Sequence, residues 1–202
     1  DVSESRGLGD VYKRQLIMFL VRHGESEFNQ AFRKTRRDPG IVDPALTPLG
    51  IQQIRRTASF FTDKDIQFFV SSPYQRALQT SALLFDLANQ NLNVNFLVGE
   101  QFGFSCDIGS PRSELEKKWP RIDFKNLKEV WWPSEPETEN TVGQRGALFL
   151  RESSYRFLNT DKLVVVSHWG FIKSLTGLSV ENGSVVEFRE DISSCVVYQP
   201  PL

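Results

Sequence analysis

Ile17-Met18-Phe19-Leu20-Val21-Arg22-His23-Gly24-Glu25 is the stretch that decides how this chain reads. Five consecutive apolar residues that stop at charge and glycine predict a short strand buried on both faces, the kind found in parallel sheets. A second run, Leu163-Val164-Val165-Val166, stops the same way, as Ser167-His168-Trp169-Gly170. The chain has two histidines, and each follows one of these runs. Open α/β sheets bind ligands beyond the carboxyl ends of their strands. Both side chains that titrate near neutrality without perturbation therefore fall where such a sheet places its site.

Outward from these two runs the pattern alternates. Thr47-Pro48 predicts a helix start, with threonine as N-cap and proline in the first turn. Ile51, Ile54, Ala58 and Phe61 then recur at helical spacing. Phe68-Phe69-Val70 reads as a strand, and Ser72-Pro73 repeats the cap-plus-proline signal ahead of a helix carrying Arg76, Ala77, Leu78 and Leu84. Val94–Val98 reads as a further strand. Thr141-x-x-Gln144 reads as a capping box for a helix reaching Leu158. A helix over 170–175 follows the second histidine, and 185–188 with 195–198 form a terminal antiparallel pair. Strands alternating with helices predict an α/β fold, a three-layer α/β/α sandwich. Its sheet is expected to be mostly parallel, with an antiparallel edge strand.

Residues 16–202 are expected to form a single domain with a loop-rich insertion at about 99–140, where Pro, Gly, Trp and charge replace the periodic pattern and one short helix is predicted near 113–118. Long loops inside a domain are commonly functional. Residues 1–15 are set aside as an extension of non-native origin. Asp10-Val11-Tyr12-Lys13-Arg14-Gln15 is the translation of a transposase mosaic-end adaptor, and the one methionine, Met18, comes just after it.

With 202 residues, 40% hydrophobic, the chain can bury a sizeable core. A net charge of −1 leaves no electrostatic footprint for nucleic acid or an anionic membrane. No apolar run approaches the length of a membrane span. Cys106 and Cys195 stand in no CxxC pattern, which predicts reduced thiols and a cytoplasmic protein.

Arg22-His23-Gly24-Glu25 resembles the signature of the histidine phosphatase superfamily, the phosphoglycerate-mutase-like proteins. Further segments match in order. Asn29 stands at the family's spacing after Arg22-His23-Gly24-Glu25. Leu46-Thr47-Pro48-Leu49-Gly50 is similar to its L-T-x-x-G helix start. Ser72-Pro73-Tyr74-Gln75-Arg76-Ala77-Leu78-Gln79-Thr80 is similar to its S-P-x-x-R-A-x-Q-T segment, and Ser167-His168-Trp169-Gly170 carries its second histidine. The resemblance implies metal-independent hydrolysis of a phosphomonoester through a phosphohistidine on His23. Arg22, Arg76, His168 and Asn29 would hold the phosphate oxygens, with backbone N–H groups near Trp169. It implies Glu100 as general acid; the acid context usual after that residue is absent here, and Asp107 is the runner-up.

The chemistry of the residues agrees. Arginine offers fixed charge and forked donors that suit a phosphate dianion, and a neutral imidazole is a competent nucleophile. Two histidines near carboxylates could also hold a divalent cation. The arginine adjoining His23 favours an anion instead, so neither metal nor cofactor is expected. Glu25 and Gly50 are expected to serve loop support and helix packing. Trp119, Trp131 and Trp132 could grip a substrate or fill the core, and Lys117, Lys118 and Arg121 read as a solvated helix face. A phosphoglycerate mutase and a non-catalytic phosphate-binding scaffold are the alternatives. The mutases' glycine-leucine-asparagine-lysine stretch is missing, and a scaffold would not need Arg22, His23, Arg76 and His168 together. The physiological substrate and oligomeric state are not legible.

Overall fold

The first apolar run is strand β1 (Ile17–Arg22), and it lies inside a sheet rather than at its edge. The computed structural model describes residues 17–85, 92–156, 163–189 and 192–201; the expectation for residues 1–15 lies outside them. After β1 come α1 (Glu27–Thr35), α2 (Pro48–Ser59), β2 (Phe68–Ser71), α3 (Gln75–Leu84), β3 (Leu92–Val94) and α4 (Arg112–Lys118). Then follow α5 (Glu139–Arg156), β4 (Leu163–Ser167), α6 (Trp169–Thr176), β5 (Val185–Arg189) and β6 (Ile192–Tyr198).

The strand order is β3-β2-β4-β1-β5-β6. Strands β3, β2, β4 and β1 run parallel. Strand β5 is antiparallel to β1, and β6 to β5. The mostly parallel α/β/α sandwich with antiparallel strands at one edge is thus what forms. Side chains alternate across each strand. On β1, Phe19 and Val21 face a core shared with Ile54 of α2 and Leu78 of α3. Met18 and Leu20 face the opposite core, with Phe149 of α5 and Phe171 of α6. Burial of both faces explains why β1 and β4 are uninterrupted apolar runs. Among the described residues no helix is long and apolar enough to cross a membrane.

Local chemistry moves several element ends away from the sequence reading. Thr47 caps α2 as expected, its Oγ1 accepting from the Gly50 N–H at 3.0 Å, a bond worth about 1 kcal/mol. Ser72 does not cap α3. Its N–H donates to Val166 O at 3.0 Å and its hydroxyl meets His168, so the helix begins at Gln75. There the free N–H finds a remote cap, the Asp43 carboxylate, at 2.8 Å. The expected strand over 94–98 is instead β3 followed by a 3-10 turn, Phe96–Val98. Asn95 makes the break, because its Oδ1 accepts from the Leu97 N–H at 2.9 Å. Helix α5 starts at Glu139, ahead of the expected box at Thr141. Thr138 and Thr141 exchange reciprocal side-chain-to-backbone bonds at 3.2 Å.

The segment 99–140 holds α4 and a second 3-10 turn, Ser105–Asp107. Tyr74 pins that turn by donating to Asp107 O at 2.6 Å. Trp131 packs so closely on Gly109 that a Cβ there would lie 2.2 Å from the indole.

Candidate active site

Strands β1 and β4 pair so that Arg22 sits opposite Ser167. The next residue on each is a histidine, and the His23 N–H donates to Ser167 O at 3.0 Å. The two imidazoles therefore meet, with ring centroids 5.0 Å apart. Ser72 after β2 and Glu100 after the turn that follows β3 arrive at the same end of the sheet. The donor atoms of His23, His168 and Glu100 all lie within 4.8 Å of one another. Arg22, His23, Arg76 and Glu100 line one cavity of about 620 Å³.

Each histidine is held in a defined state. His23 Nδ1 lies 2.7 Å from the Gly24 carbonyl. A carbonyl only accepts, so Nδ1 carries the proton and Nε2 keeps its lone pair. Burial, reinforced by the charges of Arg76 and Arg22, pushes His23 far below the ordinary histidine range. Burial, with Arg76 and then His23, does the same to His168. Both rings are neutral near pH 7. His168 Nε2 is 2.7 Å from Ser72 Oγ, whereas its Nδ1 is buried with no protein partner, as is Arg22 Nε. Buried polar atoms without partners are rare; of these two residues Arg22 lines the cavity and His168 is fully buried.

The arginines are fixed by carbonyls. Arg22 donates to Val180 O at 2.6 Å and Arg76 to Cys106 O at 2.7 Å. Arg76 also pairs with Asp107 at 3.2 Å, both side chains buried, and stacks 4.5 Å over the Tyr74 ring. The His23, Glu100 and His168 donors are close enough for a metal ion. The arginine charge that depresses both histidines would oppose a cation by the same Coulomb interaction.

The two candidate acids are placed differently. Glu100 Oε1 accepts from the Gln101 and Gly170 N–H groups, at 2.9 and 2.8 Å, and borders the histidines. Burial first, then the nearby Asp107 charge, raises its pKa above the ordinary carboxylate range. Asp107 is consumed by the loop. Its Oδ2 accepts from the Gly103 and Phe104 N–H groups at 3.1 and 3.0 Å, and its Oδ1 from Arg76.

Asn29 lines the cavity, but its Oδ1 serves the α1 capping box with Ser26 and takes a 3.3 Å bond from Asn182. Trp169 also lines the cavity, its indole N–H donating to Ser179 at 2.9 Å. Glu25 is buried and accepts from Thr47 Oγ1 at 2.8 Å, and a Cβ on Gly50 would lie 2.1 Å from Glu25 O. These two hold the loop and helix together. Trp131 fills the core against Tyr74, with ring centroids 4.7 Å apart. Neither Trp119, Trp131 nor Trp132 lines the main cavity; Phe28, Phe32 and Phe104 do.

Arg145 escaped the sequence reading. From mid-α5 it donates to Leu97 O, Gly99 O and Glu100 O at 2.6, 3.2 and 3.1 Å. It also grips both oxygens of Glu137 at 2.8 Å. This guanidinium holds the loop bearing Glu100 together with Ser167, whose Oγ donates to Val98 O at 2.7 Å, and the Gly170 N–H. A helical arginine eight residues from its acid has no spacing signal that separates it from a surface charge. Ser72, read as a cap, is the His168 partner.

The profile of the histidine phosphatase superfamily (branch 1) matches residues 18–194, and the chain belongs to that superfamily. A protein of Hydrogenobacter thermophilus that carries the name phosphoserine phosphatase is 28% identical over 180 residues, 82% of this chain and 81% of that one. A 2,3-bisphosphoglycerate-dependent phosphoglycerate mutase of Allorhizobium ampelinum is 26% identical over 168 residues, 78% of this chain and 76% of its own. Among solved structures, a mycobacterial glucosyl-3-phosphoglycerate phosphatase superposes with a TM-score of 0.63, covering 94% of this chain and 100% of that one. At 20% identity, that likeness is one of fold.

Proposed function

We propose that this phosphatase of the histidine phosphatase superfamily hydrolyses phosphomonoesters through a phosphohistidine on His23, without a metal ion. The observation that carries the reading is the gathering of the His23, His168 and Glu100 donor atoms within 4.8 Å at the arginine-lined end of the cavity.

In this reading the phosphate lies between Arg22, Arg76 and His168. Their charge and N–H groups meet the negative charge on the equatorial oxygens of an in-line transition state. For His168 to act as a donor to the phosphate, the Ser72 hydroxyl would donate to Nε2, 2.7 Å away, and leave the proton on Nδ1. His23 Nε2 attacks phosphorus, an N–P bond forms and the P–O ester bond breaks. Glu100 gives its proton to the departing oxygen, and the alcohol leaves. The Glu100 carboxylate then takes a proton from water as the water oxygen attacks phosphorus. The N–P bond breaks, and phosphate and neutral His23 are restored. Asn29 is assigned to the phosphate through its amide, and the Trp169 end of α6 adds a helix N-terminus.

The test is phosphate release from a panel of phosphomonoesters with EDTA present. Turnover by the parent protein, lost in His23→Ala, is expected. Activity that appears only with added divalent cation would overturn the mechanism. The mutase reading is favoured by the resemblance to a phosphoglycerate mutase. It predicts exchange of 2- and 3-phosphoglycerate in 2,3-bisphosphoglycerate-primed protein, faster than phosphate release.

A further inference from the structure

We propose that the cavity selects phosphomonoesters whose alcohol part is an uncharged aromatic or bulky apolar group, held against Phe28, Phe32 and Phe104. The inference deepens the phosphatase reading and rests on it.

Phe28 and Phe32 stand one turn apart on α1 and face the same way. Their rings stack at 13° with centroids 5.5 Å apart. Phe104, near the start of the 99–140 segment, closes on both at 5.6 and 5.5 Å. All three line the cavity that holds His23, Arg22 and Arg76, and Phe104 is 46% exposed. A single exposed aromatic needs no explanation. Three rings converging beside a phosphate-binding end are a built apolar wall. A cavity of about 620 Å³ also falls within the range of roughly 300–1,000 Å³ that takes drug-sized ligands, far more than a three-carbon phosphate fills.

The charges point the same way. Of the lining acids, Glu137 is held by Arg145 and by the Phe102 N–H at 3.0 Å. Asp107 is held by Arg76 and its own loop. Apart from the two phosphate arginines, Arg36 is the one cation among the described lining residues, and it sits exposed where α1 ends. A carboxylated alcohol would lie near Glu100, against carbon and paired acids. An aromatic alcohol would stack edge or face on the three rings, the favoured geometries of such contacts.

The test is calorimetric binding of three non-hydrolysable probes to the full chain: 2-naphthylmethylphosphonate, methylphosphonate and 3-phosphonopropionate. The naphthyl probe is expected to bind at least tenfold tighter than either other. Phe104→Ser, at a partly exposed position, should cut that advantage to less than threefold; Phe32→Ala should do the same independently. Equal binding of all three probes, tighter binding of the carboxylated one, or an advantage that survives both substitutions would overturn the inference. Hydrolysis is read separately, as kcat/KM for 2-naphthylmethyl phosphate against phosphoserine. Faster phosphoserine turnover keeps the phosphatase reading and overturns the selectivity. Naphthyl-selective binding that depends on Phe104, with no hydrolysis of any ester, keeps the wall and removes the phosphatase reading.

Discussion

Glu100 Oε1 accepts from the Gly170 N–H at 2.8 Å, which ties the loop after β3 to the first turn of α6, the helix that His168 begins. The contact leaves no room for a side chain at position 170. A Cβ there would lie 2.5 Å from that same oxygen and 2.8 Å from Gln101 Cβ. Gly170→Ala should therefore displace the acid while leaving His23 in place. A general acid matters most for poor leaving groups. Both Gly170→Ala and Glu100→Gln should slow alkyl phosphate hydrolysis by tenfold or more, and p-nitrophenyl phosphate far less. Steady-state kinetics on the two substrate types check this; equal losses on both would remove Glu100 from the role.

Asp107→Asn should behave differently. It breaks a buried ion pair with Arg76, and removing one partner of such a pair costs about 3 kcal/mol or more. Urea denaturation should show that loss. Activity should fall alike on alkyl and aryl esters, with weaker inhibition by inorganic phosphate because Arg76 has lost its support.

Arg145 is a positioning residue. Arg145→Met strands Glu137 and frees the carbonyls of Leu97, Gly99 and Glu100. The expected result is a fall in kcat for alkyl phosphates with little change in KM, partly restored in Arg145→Lys. A uniform loss that tracks melting temperature would make the residue structural only.

The buried histidines give stability a pH dependence of known sign. Their folded pKa values are depressed, so below about pH 6.5, the unfolded value, the unfolded chain binds more protons. Stability is therefore full above that pH and declines as the pH falls. Melting temperature measured from pH 7.5 to 5 should drop, and His168→Asn should flatten the slope below pH 6.5. Glu100 has the opposite sign. Its folded pKa is raised, so its contribution is lost as pH rises through that value. In kcat/KM, Glu100→Gln should abolish the alkaline limb.

The sheet and the two histidines were legible because both strands are buried on two faces, which forces unbroken apolar runs with abrupt ends. The arginines were legible through motif spacing. What escaped depended on contacts distant in sequence. Asp43 caps α3 across more than thirty residues, freeing Ser72 to meet His168. Asn95 cuts the third strand short with one side-chain bond that propensity does not weigh. The choice between Glu100 and Asp107 needed their neighbours, since both are acids in one loop-rich stretch. Three tryptophans drew attention to themselves, yet the cavity wall is phenylalanine, because the indoles were taken up by Gly109, Tyr74 and the core.

The nucleophile is the centre of the account. His23 keeps its Nε2 lone pair because Nδ1 is committed to the Gly24 carbonyl at 2.7 Å. The direct measurement is rapid quenching of the protein with phosphorus-labelled p-nitrophenyl phosphate in EDTA, followed by peptide mapping under alkaline conditions. An acid-labile, alkali-stable label on the peptide containing His23, absent in His23→Ala and present in His168→Ala at reduced level, is the predicted result. Turnover without any labelled peptide, or a label on another residue, would contradict it.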